Sequence, residues 1–152
     1  MLVLLVPISL FVNYLLLLST LHPNQIYHLN ERWILESIDV YNQGKLSRDF
    51  TYIDDIVEGV YKLLPNMSMS DIPYQVFNIG RGSSVALLDF IACLEKEIGK
   101  KAILNLLPMQ PGDVHTTWAD TSALHELTGY KPKTSIERGV NNFVSWHRQY
   151  SK

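Results

Sequence analysis

Residues 76–90 read VFNIGRGSSVALLDF. A short apolar run leads into a Gly-x-Gly turn, and the turn leads into an amphipathic pattern of helical period. An apolar run of strand length followed directly by a helix is the unit from which parallel sheets are built, because parallel strands need a covered crossover. The alternation continues on both sides. Asp54–Leu64, DDIVEGVYKLL, predicts a helix opened by two carboxylates that cap it and oppose its dipole, with Ile56, Val57, Val60 and Leu64 as its apolar stripe. Residues 74–80 predict a strand. Ser83 or Ser84 is the expected cap of a helix with Leu88, Ile91, Cys93, Leu94 and Ile98 inside and Gly99 at its end. KAILNLLP predicts another strand, and MQPGDVHTTWAD a loop. TSALHELTG predicts a short helix ending at Gly129. The last helix opens at Thr134 with Glu137 in a capping box, and Ile136, Val140, Phe143, Val144 and His147 share its apolar face. Around Asn42-Gln43-Gly44 the segment IDVYNQGKLSRDFTYI predicts a hairpin or an irregular loop. The fold class is therefore α/β.

Several functions are excluded by charge and composition. The chain has 152 residues, the size of one domain, and a net charge of −2, so it lacks the basic footprint of a nucleic-acid binder. Any phosphate contact must come from individually placed cations. The single cysteine, Cys93, sits in a helical pattern and reads as an inert core thiol. The five histidines are scattered, and no metal-binding spacing is present.

Residues 1–30 differ from the rest: they contain no Lys, Arg, Asp or Glu, and the first charge is Glu31. Met1–Leu21 is long enough for a membrane span, but Pro7 and Asn13 interrupt it and no basic residue precedes it. Three readings stay open: a membrane or signal segment, a buried segment of a larger fold, or a stretch outside the domain. The chain divides into residues 1–30, of uncertain status, and the α/β part at residues 31–152. The expected location is cytoplasmic, with tethering through residues 2–21 as the alternative and the only membrane contact.

Two short motifs invite dinucleotide chemistry and fail. A phosphate fingerprint needs Gly-x-Gly-x-x-Gly or Ala, then an acidic residue about twenty positions on. Here Val85 occupies the third position, and KKAILNLL lies where the acid belongs. Gly80-Arg81-Gly82 reads as a strand-to-helix turn. Tyr41 and Lys45 form a literal Tyr-x-x-x-Lys, whose catalytic use requires both groups on one face of a helix. Asn42-Gln43-Gly44 between them reads as a turn.

Two stretches are specific: IDVYNQGKLSRDFTYIDDIVEGV, from Ile38 to Val60, and LPMQPGDVHTTWADTSALHELTGYKPKTSIERGVNNFVSWH, from Leu107 to His147. With YQVFNIGRGSSVALLDFIACLEKEIG between them, they resemble the C-terminal part of nucleotide-sugar epimerases of the extended short-chain dehydrogenase (NAD-dependent epimerase/dehydratase) family. The likeness is greatest to the UDP-glucuronate 4-epimerase branch. The Arg-Asp-Phe-x-Tyr-Ile-Asp-Asp run is shared widely in that family. Met-Gln-Pro-Gly-Asp narrows the match, since UDP-galactose 4-epimerases tend to carry Arg at the place of Gln110. The resemblance covers residues from about 32 to 152, and the departure from the family lies in residues 1–30, where members carry a polar substrate loop.

The resemblance implies late strands of a Rossmann-type parallel sheet plus a small C-terminal substrate-binding subdomain, a partial domain. It implies that Arg48 holds the diphosphate of a UDP-sugar, a task suited to a planar guanidinium. Asp113 accepts from ribose hydroxyls or orients Arg48, Gln110 donates to phosphate or ribose, and Val40 and Tyr41 form the edge for uracil. Asp54 and Asp55 are explained by helix capping. The family reaction removes a hydride from C4 of UDP-glucuronate to NAD and returns it to the opposite face, giving UDP-galacturonate. The resemblance places no catalytic and no NAD-binding residue in this chain. The expectation is an isomerase by family and an inactive polypeptide by itself, binding a UDP-sugar without NAD; the full-length family forms homodimers. The alternatives are a non-catalytic UDP-sugar-binding or interaction module, or another nucleotide-sugar epimerase or dehydratase.

Overall fold

The computed structural model describes residues 37–66 and 75–150, so the readings of residues 1–30 lie outside the described residues. Strand β1 (Ile38–Val40) runs parallel to β4 (Leu104–Leu106), with Ile38 opposite Leu104 and Val40 opposite Leu106. Strand β2 (Ser47–Arg48) is antiparallel to β3 (Val85–Ala86), Ser47 facing Ala86. The helices are α1 (Ile53–Leu63), α2 (Leu87–Ile98), α3 (Ser122–Thr128) and α4 (Ile136–Tyr150). The parallel pair and its helices are α/β, as the sequence predicts.

There is no hairpin at Asn42-Gln43-Gly44. β1 and β2 enter different sheets, joined by a 3-10 turn over Tyr41–Gly44. Asn42 and Gln43 both take left-handed backbone angles, with φ of 52 and 53°, and Gly44 follows at 76°. Tyr41 and Lys45 consequently do not lie on an α-helix.

The core has two clusters. Phe50, Phe90, Val140 and Val144 join α2 to α4, with Phe50 and Phe90 stacked at 4.0 Å between ring centroids. Leu63, Ile79, Leu124 and Tyr130 join α1 to α3 and to the segment before the glycine turn. That segment is not the predicted strand. Residues 75–79 join no ladder among the described residues, and Val76 is exposed. Its apolar character comes from Phe77 and Ile79 entering the second cluster.

Burial on α1 is rotated from the predicted stripe. Asp55, Gly59 and Leu63 are buried, Ile56 and Val60 pack beside them, and Val57 (58% exposed) and Leu64 face out. Gly59 decides the rotation: a Cβ there would stand 2.8 Å from Ile79 Cγ2, so the glycine is where α1 meets the core. On α2, Leu88 is exposed and Phe90 buried, another correction to the stripe.

Two caps also move. Neither Ser83 nor Ser84 caps α2, which starts after Ala86 without a side-chain cap. Pairing of β3 with β2 holds its first turn, and the Leu87 amide donates to the Leu46 carbonyl at 2.8 Å. At α4, Ser135 replaces Thr134, its Oγ accepting from the Arg138 amide at 3.3 Å. Gly99 and Gly129 end α2 and α3 in left-handed geometry as predicted, each amide reaching back to a helix carbonyl. Arg148 Nη2 donates to the Glu97 and Ile98 carbonyls, placing a cation at the negative end of α2.

Candidate functional site

Asp49 is buried between partly exposed Arg48 and buried Phe50, and its carboxylate gathers three backbone donors. Oδ1 accepts from the Arg81 amide at 3.1 Å; Oδ2 accepts from Gly82 at 2.9 Å and from Ala119 at 3.0 Å. Thr51 Oγ1 adds a bond to Oδ1 at 3.1 Å and accepts from the Arg81 amide at 3.0 Å. Consecutive amides at a glycine turn form a cradle for an anion. In this protein the Asp49 carboxylate fills it. Gly80 permits the approach, since a Cβ there would lie 2.6 Å from Ala119 Cβ and 3.0 Å from Asp49 Oδ2. The turn is structural, and its amides do not fit a dinucleotide pyrophosphate. No other Gly-x-Gly turn occurs among the described residues.

Arg48, one position earlier, points the other way along β2. Its Nη2 donates to Asp113 Oδ1 at 2.6 Å across 65 positions of sequence. Its Nη1 donates to the Ser47 carbonyl at 3.0 Å and the His115 carbonyl at 3.3 Å. The pair is partly covered, with side chains 15% and 27% exposed. A guanidinium oriented on one edge by protein acceptors is a pre-aimed cation, able to meet a diphosphate with little loss of rotamer freedom.

Asp113 is placed by the turn before it. The Asp113 amide donates to the Gln110 carbonyl at 3.2 Å, and Gly112 sits at φ 83°. Proline second and left-handed glycine third is the pattern of a type II turn. The loop is sewn to β2: the Ser47 amide donates to His115, and the Thr117 amide to Ser47. At its root, Leu107 donates to the Val40 carbonyl and accepts from the Gln43 amide.

Of the five sequence-predicted site residues, Arg48 and Asp113 are in direct contact, and Gln110, exposed, shares the Asp113 turn. Tyr41 is half-buried at the start of the left-handed turn. Val40 is 2% exposed and its carbonyl is already engaged, so it supports the turn from inside. An open recess of about 480 Å³, lined by Gln75, Val76, Phe77, Ala123, Glu126 and Leu127, contains none of them.

Asp55 corrects the capping explanation. It is buried in the first turn of α1, but its carboxylate bonds outside the helix: Oδ2 accepts from the Thr134 amide at 2.9 Å, and the Tyr130 hydroxyl donates to the Asp55 carbonyl at 2.9 Å. Burial pushes the Tyr130 phenol up, and the Asp55 charge adds to the effect. Burial also raises the Cys93 thiol, in keeping with an inert core position. Asp49 and Asp55 are residues that sequence reasoning missed as anchors. The backbone amides that they accept from lie 32 or more positions away, and no local spacing signals them.

A family model described as GDP-mannose 4,6 dehydratase matches residues 19–143. The chain belongs to this family. The match begins within the apolar N-terminal stretch and runs through both buried anchors and the Arg48–Asp113 pair. A relative of this dehydratase-family chain in Escherichia coli O111:H-, described as an uncharacterized 37.6 kDa protein in the cld 5' region, is 47% identical over 131 residues, covering 77% of this chain and 39% of that protein. A probable UDP-glucuronate 4-epimerase of Rhizobium meliloti is 42% identical over 127 residues, covering 74% of this chain and 37% of its own length. The UDP-glucuronic acid 4-epimerase of Bacillus cereus, solved with UDP-glucuronic acid and NAD, superposes with a TM-score of 0.64 at 34% identity, over 76% of this chain and 36% of that one. The chain spans between 33% and 39% of the length of the curated relatives it matches. The fold is thus part of a Rossmann-type epimerase fold, and the resemblance to UDP-glucuronate 4-epimerases holds. No described helix is long and apolar enough to cross a membrane; residues 2–21 lie outside the described residues.

Proposed function

We propose that residues 38–117 form the nucleotide-sugar anchor of a UDP-glucuronate 4-epimerase-type enzyme. The observation that carries the reading is the Arg48–Asp113 pair, held at 2.6 Å between β2 and the Pro111-Gly112 turn. Arg48 takes the diphosphate. Asp113 aligns the guanidinium and accepts from the ribose. Gln110 lies beside them, Tyr41 offers its ring to uracil, and Val40 supports it from within. The parent reaction is interconversion of UDP-glucuronate and UDP-galacturonate by oxidation and re-reduction at C4. UDP held at this end keeps the sugar in place while its ring turns, so remote binding serves the reacting carbon.

This chain by itself is an anchor without the reaction. Its Tyr-x-x-x-Lys is wound into a 3-10 turn, and its Gly-x-Gly turn is filled by Asp49. The reading predicts UDP binding without NAD binding and no epimerase turnover.

Calorimetric titration of the full chain with UDP, then with NAD+, then with UDP on Arg48→Ala, tests this. UDP binding that the variant loses, with no heat from NAD+, supports the anchor. A folded chain that ignores UDP, or an Arg48→Ala variant that binds it unchanged, sinks the assignment of Arg48.

A further inference from the structure

We propose that Asn42 and His115 form a latch that positions the two arms of the nucleotide site, with neutral His115 as the acceptor; this rests on the nucleotide-sugar reading of Arg48 and Asp113. One arm is the turn that begins at Tyr41. The other is the loop that carries Gln110 and Asp113.

His115 touches both arms. Its carbonyl accepts from the Ser47 amide at 2.9 Å and from Arg48 Nη1 at 3.3 Å. Its ring Nδ1 lies 3.2 Å from Asn42 Nδ2. The direction of that bond follows from the third partner. Asn42 Nδ2 also donates to the Lys45 carbonyl at 3.0 Å. A carbonyl can only accept, so the amide nitrogen is on that side and presents its other hydrogen to His115. Nδ1 must then carry a lone pair, and the imidazole is neutral with its proton on Nε2.

The turn so held is in an unusual state. Asn42 and Gln43 are non-glycine residues with left-handed φ. Such backbone persists where surrounding contacts over-determine it, and it concentrates at functional sites. The contacts here are the Lys45 amide on the Asn42 carbonyl at 2.8 Å, the Gln43 amide on Leu107 at 3.0 Å, and the His115 ring. Among the described hydrogen bonds, the other tie from the middle of the turn to the Asp113 loop is the Gln43 amide on Leu107.

The test uses the full chain and UDP as the probe, with binding followed by calorimetry. His115→Leu and Asn42→Gly are each expected to weaken UDP binding about tenfold at about pH 7.5, in line with the loss of one internal hydrogen bond. Asn42→Gly keeps the left-handed φ at ease, so it reports on the latch even where His115→Leu folds poorly. His115→Asn places an amide oxygen near the position of Nδ1 and is expected to stay within about threefold of wild type. Unchanged UDP binding by both His115→Leu and Asn42→Gly overturns the latch. The tautomer is read separately from the ring 15N shifts of unliganded wild type. An Nδ1–H tautomer sinks the latch whatever UDP does; an Nε2–H ring in a chain that ignores UDP sinks the nucleotide reading and the latch's role with it.

Discussion

The Asp49 Oδ2 atom lies 2.9 Å from the Gly82 amide nitrogen, joining residues 33 positions apart. With the Arg81 and Ala119 amides on the same carboxylate, Asp49 ties β2 to the glycine turn and to the segment leading into α3. Removing it leaves the Gly82 and Ala119 amides without their acceptor and the Arg81 amide with Thr51 Oγ1 alone, and charge-assisted bonds of this type are worth more than neutral ones. Asp49→Ala is expected to destabilise the chain by about 3 kcal/mol, and Asp49→Asn by roughly half as much, since one oxygen remains. Urea denaturation reads this directly. A loss under about 1 kcal/mol for the alanine variant would mean that the carboxylate is dispensable to the turn.

Two glycines separate packing from backbone conformation. Gly80→Ala drives a methyl against Ala119 and the Asp49 carboxylate and is expected to cost about 2 kcal/mol. Gly112→Ala meets nothing within 4 Å, so only its φ of 83° opposes the change, at about 1 kcal/mol. Gly112→Asn should cost less again, because asparagine tolerates the left-handed region. Thermal denaturation of the three variants should rank them in that order, and Gly112→Ala as the most damaging would contradict the packing at Gly80.

Arg48→Lys keeps the charge and loses the planar fork. A lysine ammonium cannot bridge two phosphate oxygens while holding Asp113, so UDP affinity should drop about tenfold. Asp113→Asn should produce a similar drop with little change in stability, because a partly exposed ion pair contributes about 1 kcal/mol or less. Parallel UDP calorimetry and denaturation discriminate the outcomes. A variant that loses stability and keeps its affinity would mark the pair as structural.

Tyr130 sets the alkaline limit. Its phenol is raised above the ordinary value of about 10 by burial and by Asp55. In the folded chain it stays protonated where the unfolded chain already ionises, so the unfolded state binds fewer protons and stability falls with rising pH. The contribution is full below about pH 10 and declines above it. Tyr130→Phe should cost about 1 kcal/mol near neutral pH through its lost bond to the Asp55 carbonyl. It should then show a shallower decline above pH 10, measured as the denaturation midpoint across that range. Equal alkaline slopes in both proteins would show that Tyr130 ionises normally.

His147 gives the acid counterpart. Burial lowers its imidazole, so the neutral form is favoured in the fold and its contribution, present above about pH 6.5, is lost as pH falls. His147→Gln should flatten stability between about pH 6.5 and 5. An unchanged slope there would mean that the ring is as readily protonated folded as unfolded.

The sequence by itself determined the helices and their glycine ends, because helical period and turn glycines act over a few residues. Val140 and Val144 recur at the spacing that α4 buries, and Gly99 and Gly129 end α2 and α3 where they stand. The resemblance in Arg-Asp-Phe and Gln-Pro-Gly-Asp singled out Arg48 and Asp113, which the fold brings to 2.6 Å. Only the tertiary structure decided which side chains inside these runs face in and what they hold. Asp49 and Arg48 are adjacent, yet one enters a cradle of backbone amides and the other reaches out to Asp113. Ile79 pressing on Gly59 turned α1 away from its apparent stripe, and residues 75–79 formed no strand because a strand needs a neighbour at hydrogen-bonding distance. These outcomes depend on partners tens of residues away, a separation that local period and propensity do not encode.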